Sequence, residues 1–156
     1  MTSKTTSDKI CLAVNKKAEY NYSINETFTA GLVLVGNEIK SLRERKVSIN
    51  ASFCFLKKNE LFIHNMSIAR YDKTFFYSAY DEKRDRKLLL NKSELVKIRR
   101  HVQKNMSVIP ITVFMNKKGF VKIDIALAKG KKKYDKRKVL KERDLLRCRR
   151  KDVFNK

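Results

Sequence analysis

The period of the apolar positions changes several times along this chain, and each change marks an element. Tyr20, Tyr22, Ile24, Phe28 and Leu32 through Val35 dominate residues 20–35, which contain no proline. That pattern predicts a long strand, with Gly31 and Gly36 marking a bulge or a sharp bend. Over residues 37–46 the period switches. Ile39 and Leu42 stand three apart among Glu38, Lys40, Arg43, Glu44 and Arg45, which predicts a short helix plugging one end of a barrel. Apolar runs at 51–56 and 60–64 flank Lys57-Lys58-Asn59 and predict a hairpin. Residues 67–87 mix Tyr71, Phe75, Phe76, Tyr77 and Tyr80 with many cations, and a long, partly flexible loop is expected there. Asn91 followed by Glu94 is the signature of a capped helix start. Leu95, Ile98 and Val102 then give that helix one buried stripe. Runs at 108–115 and 120–127 predict a second hairpin around Asn116-Lys117-Lys118-Gly119. Alternation at Val121, Ile123 and Ile125 suits a strand with one wet face. The single proline, Pro110, fits the start or edge of its strand.

Six or so short strands, antiparallel hairpins, bend glycines and helices inserted between strands define the expected fold class. It is mainly β: an antiparallel β-barrel of the oligonucleotide-binding (OB) type, with inserted short helices and a basic C-terminal tail. Three segments are expected: a disordered polar leader at 1–8, the barrel at 9–128 and the tail at 129–156. The tail holds 14 Lys and Arg against four Asp and Glu. Its apolar stripe, Val139, Leu146 and Val153, is thin, so it is expected to be disordered alone and helical against a partner.

Charge narrows the function. Lys and Arg number 38 against 16 Asp and Glu, a formal net charge of +22 in 156 residues. Such self-repulsion calls for a polyanionic partner. No apolar run approaches the roughly 18 residues that span a bilayer. Ile10 through Val14 are too few for a signal peptide, so a cytoplasmic protein is expected, with no membrane partner. Cys11, Cys54 and Cys148 are widely spaced and odd in number, which argues for reduced thiols rather than a disulfide framework.

Enzyme constellations are not visible. There is no GxSxG, GxxxxGK[ST] or HExxH pattern, and neither His64 nor His101 has metal-ligand spacing to a cysteine. His64 reads as a strand-end histidine bonded to backbone. Glu38 and Glu44 read as neutralising Lys40, Arg43 and Arg45 on their own helix. Cys54 reads as core. No catalytic residue, metal or cofactor is expected. The basic segments say more: Asn15-Lys16-Lys17 precede Tyr20 and Tyr22, so cations for phosphates alternate with rings for unpaired bases. In the tail, residues 129–137 pack cations densely enough to require phosphate.

Several segments, in order, resemble one family. They are Gly31 to Arg43 (GLVLVGNEIKSLR), Phe62-Ile63-His64-Asn65-Met66, Arg86-Lys87-Leu88-Leu89-Leu90, and Ala128-Lys129-Gly130-Lys131-Lys132 followed by Tyr134-Asp135-Lys136-Arg137. Together they are similar to SmpB, the SsrA-binding protein family. The resemblance runs from about Asn15 to Arg143. It implies an OB-like barrel that binds the tRNA-like domain of transfer-messenger RNA and takes that RNA to stalled ribosomes. It also implies a tail in the empty messenger channel, an elongation factor in the same complex, a monomer, and no catalysis. The RNA contacts so implied fall on Asn15, Lys16, Tyr22, Leu89 and Lys122, with Glu38, Lys40 and Arg43 in the signature segment and Lys17 and Lys87 beside them. The decoding-centre and messenger-channel set is Lys129, Lys131, Lys132, Tyr134, Asp135, Lys136, Arg137, Lys141 and Arg143. Thr29 stands where the family often has an acid, Asp124 where a base is frequent, Glu19-Tyr20 where a basic or His pair is common, and Ala126 where a glycine is usual. Two other classes stand beside this one: a generic ribosomal or single-strand RNA-binding barrel, and a nuclease, which would need an acidic metal cluster.

Overall fold

The computed structural model describes residues 9–71, 81–132 and 134–135. In chain order the elements are β1 (Lys9–Val14), α1 (Ala18–Asn21), β2 (Tyr22–Leu32), α2 (Gly36–Arg43), β3 (Val47–Ser48) and β4 (Phe53–Lys57). There follow β5 (Glu60–His64), β6 (Ser67–Ile68), β7 (Arg86–Leu89), α3 (Lys92–Val102), β8 (Ser107–Asn116) and β9 (Val121–Gly130). Strands β8, β4, β5, β7, β2 and β9 pair in that order, and β9 returns to β8, closing a six-stranded antiparallel ring. Closure removes the open edges that invite aggregation. β1 adds to β8, and β3 with β6 forms a small separate ladder.

The elements follow from local chemistry. Lys58 and Asn59 both have positive φ, 48° and 62°, the type I′ turn that matches strand twist in a two-residue hairpin. Gly119 at φ 80° turns the β8–β9 hairpin, where the Asn116 side-chain oxygen accepts from the Phe120 N–H at 2.9 Å. Glu94 accepts the Asn91 N–H at 3.0 Å and starts α3. Ile98 on that helix is fully buried with Leu61, Ile63, Met66, Val113, Ile123 and Ile125 inside the ring, as the stripe predicts.

Four expectations need correction. The strand expected at 20–35 is shorter, because Tyr20 belongs to α1 and the strand ends at Leu32. Its register shift falls between Ile24 and Glu26 rather than at Gly31. Gly31 is needed for a close approach instead, since a Cβ there would lie 3.3 Å from the Leu89 Cβ. The loop expected at 67–87 contains β6 and ends in β7, a ring strand. β7 was hidden because Arg86 breaks its apolar pattern, yet Arg86 points inward. Its aromatics Phe75, Phe76, Tyr77 and Tyr80 lie outside the described residues. Finally, Pro110 is neither at the start nor on a free edge. It sits inside β8, where β8 changes partner from β1 to β4, so its missing N–H falls where the ladder is already interrupted.

Candidate nucleic-acid interface

The most buried charges of the barrel lie beneath α2. Arg86 and Glu38 are both fully buried. The Arg86 Nε donates to Glu38 Oε1 at 2.9 Å, and its remaining N–H groups reach the carbonyls of Met66, Arg84 and Glu82. Arg84 grips the same carboxylate from the rim, Nε to Oε1 at 2.8 Å and Nη2 to Oε2 at 2.6 Å. Glu38 Oε2 also accepts the Val35 N–H at 2.8 Å, capping α2. Burial alone would raise the Glu38 carboxyl pKa. Bonds from Arg84 and the Val35 N–H, with the charges of Arg86 and Arg84, outweigh that and hold it below its ordinary 4.5. Glu38, expected among the RNA contacts, is therefore a structural anchor with no exposed atom to offer. Its partners are also not the helix cations Lys40, Arg43 and Arg45. Glu44, for its part, pairs with Lys46 at 3.0 Å.

Above this anchor the strands present a mixed apolar and cationic surface. Gly31 of β2 pairs with Leu89 on one side and Lys122 on the other, so two residues distant in sequence flank one glycine. Leu89 is 53% exposed. With Gly31, Leu34, Ile39, Phe120 and Lys122 it lines a groove of about 300 Å³. Phe120 is 64% exposed and was missed by sequence reasoning. Its signal was an aromatic directly after a turn glycine, where no core is available to receive it. Next to this groove, Lys9, Lys117, Lys118 and Lys122 surround Phe114, with the Lys9 ammonium 4.2 Å from the ring centre. Thr29 and Asp124 meet here as a cross-strand pair, the Thr29 hydroxyl donating to Asp124 Oδ1 at 2.6 Å. Two of the four departures from the family pattern are thus one contact.

Several of the other site residues form a second group around α1. Asn15 is buried, its amide donating to the Pro110 carbonyl at 3.1 Å and its oxygen accepting the Lys17 N–H at 3.2 Å. It positions the turn, while Lys16 and Lys17 are exposed. Tyr22 packs half-buried beside Ile109, Ala126 and Ala128. Lys129 lies in β9 opposite Ser23, and Lys131 binds the Asn21 carbonyl through its N–H at 2.9 Å and the Glu19 carbonyl through its ammonium at 2.7 Å. These two are brought to the α1 group. Lys132 is exposed, its N–H on Asp135 at 3.3 Å, and Tyr134 is 78% exposed. Lys136, Arg137, Lys141 and Arg143 lie outside the described residues. On α2, Lys40 lies over the Tyr71 ring at 5.5 Å and Arg43 is exposed. Lys87 pairs with Glu60 at 2.5 Å.

His64 bonds a carboxylate rather than backbone, its Nδ1 lying 2.6 Å from Asp85 Oδ1. Cys54 is buried, and burial pushes its thiol pKa well up. Among the described residues no three His, Cys, Asp or Glu gather where a metal ion would sit, and no helix is long and apolar enough to cross a membrane.

A closed antiparallel barrel with exposed rings and cations on two faces defines a basic OB-like protein with a nucleic-acid-binding surface. The SmpB protein family model matches residues 12–155, and the chain belongs to that family. An SsrA-binding protein of Bacteroides thetaiotaomicron is 48% identical over 134 residues, covering 83% of this chain and 87% of the relative. One of Persephonella marina is 50% identical over 137 residues, covering 87% and 89%. A solved structure described as "tmRNA-SmpB: a journey to the center of the bacterial ribosome" aligns with a TM-score of 0.64 and 39% identity, over 77% of this chain and 84% of the other.

Proposed function

We propose that this chain binds the tRNA-like domain of transfer-messenger RNA and delivers it to stalled ribosomes, acting by binding rather than catalysis. The carrying observation is the site beside Gly31, where Leu89 of β7 meets Phe120 and Lys122 from the start of β9 on the barrel of an SsrA-binding family. Apolar side chains that stay exposed next to a cation suit an RNA elbow, whose unstacked bases and phosphates need both. The α1 group, with Lys16, Lys17, Lys129 and Lys131, extends the cationic track. Residues 133–156 form the ribosome-directed arm in this reading: Tyr134 stacks on a ribosomal base, and Lys136, Arg137, Lys141 and Arg143 hold backbone phosphates in the messenger channel. In this reading the protein works in the cytoplasm, in a complex with an elongation factor.

Competition binding near physiological salt tests the proposal. Labelled transfer-messenger RNA should stay bound against a large excess of bulk duplex and single-stranded RNA. Equal competition would mean that charge alone carries the binding and would reduce the chain to a generic RNA-binding barrel.

A further inference from the structure

The six-stranded ring has a weak seam. β4 and β5 pair at five positions, but β4 and β8 pair only at Cys54 and Val108. The cause lies in β8. Its C-terminal half is taken by β1, and at the changeover Pro110 has no N–H to donate, while its carbonyl is bound by the Asn15 side chain. The seam therefore opens into a cleft of about 590 Å³ between β4 and β8, a size that suits a small organic ligand. Tyr22, Phe53 and Phe55 stand on its walls. Phe53 is 49% exposed, although it belongs to a folded β-strand with a core beneath it.

Phe53 is also held in place. On the outer face of β4 and β5 its ring lies 5.2 Å from His64 and 6.3 Å from Phe55, and Phe55 stacks on Phe62 at 6.0 Å. His64 is in turn fixed by Asp85. An adjoining recess shares Tyr22, Phe53 and Ile109 with the cleft, and Lys17, Asn21 and Asn50 border it. Rings held in place, carboxamides that match base edges and an ammonium for phosphate sit together there.

We propose that the β4–β8 cleft takes one unpaired nucleotide of RNA, its base stacked on Phe53 and Tyr22 and its phosphate met by Lys17. The cleft opens beside α1, away from the groove at Gly31, and with its adjoining recess shares Tyr22 and Lys17 with the second group of site residues, so it gives that group a pocket for a single-stranded residue. This deepens the RNA-binding reading above and rests on it for its biological setting.

The test uses the full chain and a six-nucleotide single-stranded RNA carrying a central 5-iodouridine. Phe53→Ala should weaken binding roughly tenfold, as loss of one base stack does. The slope of affinity against salt should not change, because no phosphate contact is removed. Phe53→Trp should restore binding, and ultraviolet crosslinks should map to Tyr22 or Phe53. Binding of Phe53→Ala within twofold of the unaltered chain, or crosslinks confined to lysine-rich segments outside the cleft, would overturn the proposal. Transfer-messenger RNA titrated in parallel separates the two readings. If the unaltered chain fails on it but still crosslinks the hexamer at the cleft, the function is wrong and the cleft stands. If it binds tightly with no cleft effect, the reverse holds.

Discussion

Replacing Glu38 with Ala should destabilise the barrel by about 3–5 kcal/mol, the usual consequence of leaving a buried charge without its partner. Arg86 is fully buried and Glu38 is its only carboxylate among the described residues. Without it a guanidinium remains in the core and α2 loses the acceptor of its Val35 N–H. A domain of this size has roughly 5–15 kcal/mol to lose, so the change removes a large share of it, and any loss of RNA binding should track unfolding rather than a missing contact. Urea denaturation measures the loss. A double variant, Glu38→Met with Arg86→Met, should lose less than the sum of the two single changes, because neither charge is left alone. Glu38 also sets an acid limit. Its carboxyl titrates below 4.5 in the fold, so its contribution is complete above about that pH and is lost as pH falls through the lower folded value. Stability of Glu38→Ala should lack that acid-side decline. A single variant within about 1 kcal/mol of the original would show that this cluster is not the anchor described.

The second large effect concerns residues 133–156. A chain ending at Lys132 should keep its fold and its affinity for transfer-messenger RNA, yet lose ribosome rescue entirely. The cut must fall there and not at 128, because β9 continues through Gly130, where it pairs with Tyr22, and Lys131 ties α1 to the barrel. A chain ending at Ala128 should lose part of its RNA affinity as well, since Tyr22 and Ser23 lose their β9 partners and α1 loses its ties to Lys131. Comparing the two truncations separates the barrel's contribution from that of the arm. Rescue by the chain ending at Lys132 would contradict the division of labour proposed above.

Much of this was legible in the residues, and the exceptions share a cause. The two hairpins, α2 and α3 could be read because local pattern and turn chemistry agreed with the final fold: Lys58-Asn59 as a turn, Gly119 as a turn, Asn91 with Glu94 as a helix start. β7 could not, because a buried Arg86 looks like a surface residue until its carboxylate and three carbonyls are in place. Glu38 misled for the same reason. On one helix it reads as a partner for nearby cations, whereas its true partners come from more than forty residues away. The site was half legible. Leu89 and Lys122 came from family resemblance, but their meeting across Gly31 is a property of sheet register. Phe120 and the β4–β8 cleft depend on where neighbouring strands stop, and no local pattern encodes that.

The central claim is most directly tested in a purified translation system lacking any SsrA-binding protein, programmed with a message that has no stop codon and supplied with transfer-messenger RNA. Adding this chain should attach the peptide tag to the stalled product in proportion to the chain added. No tag, from a chain shown in the same mixture to hold the RNA tightly, would contradict the account and leave only an RNA-binding barrel.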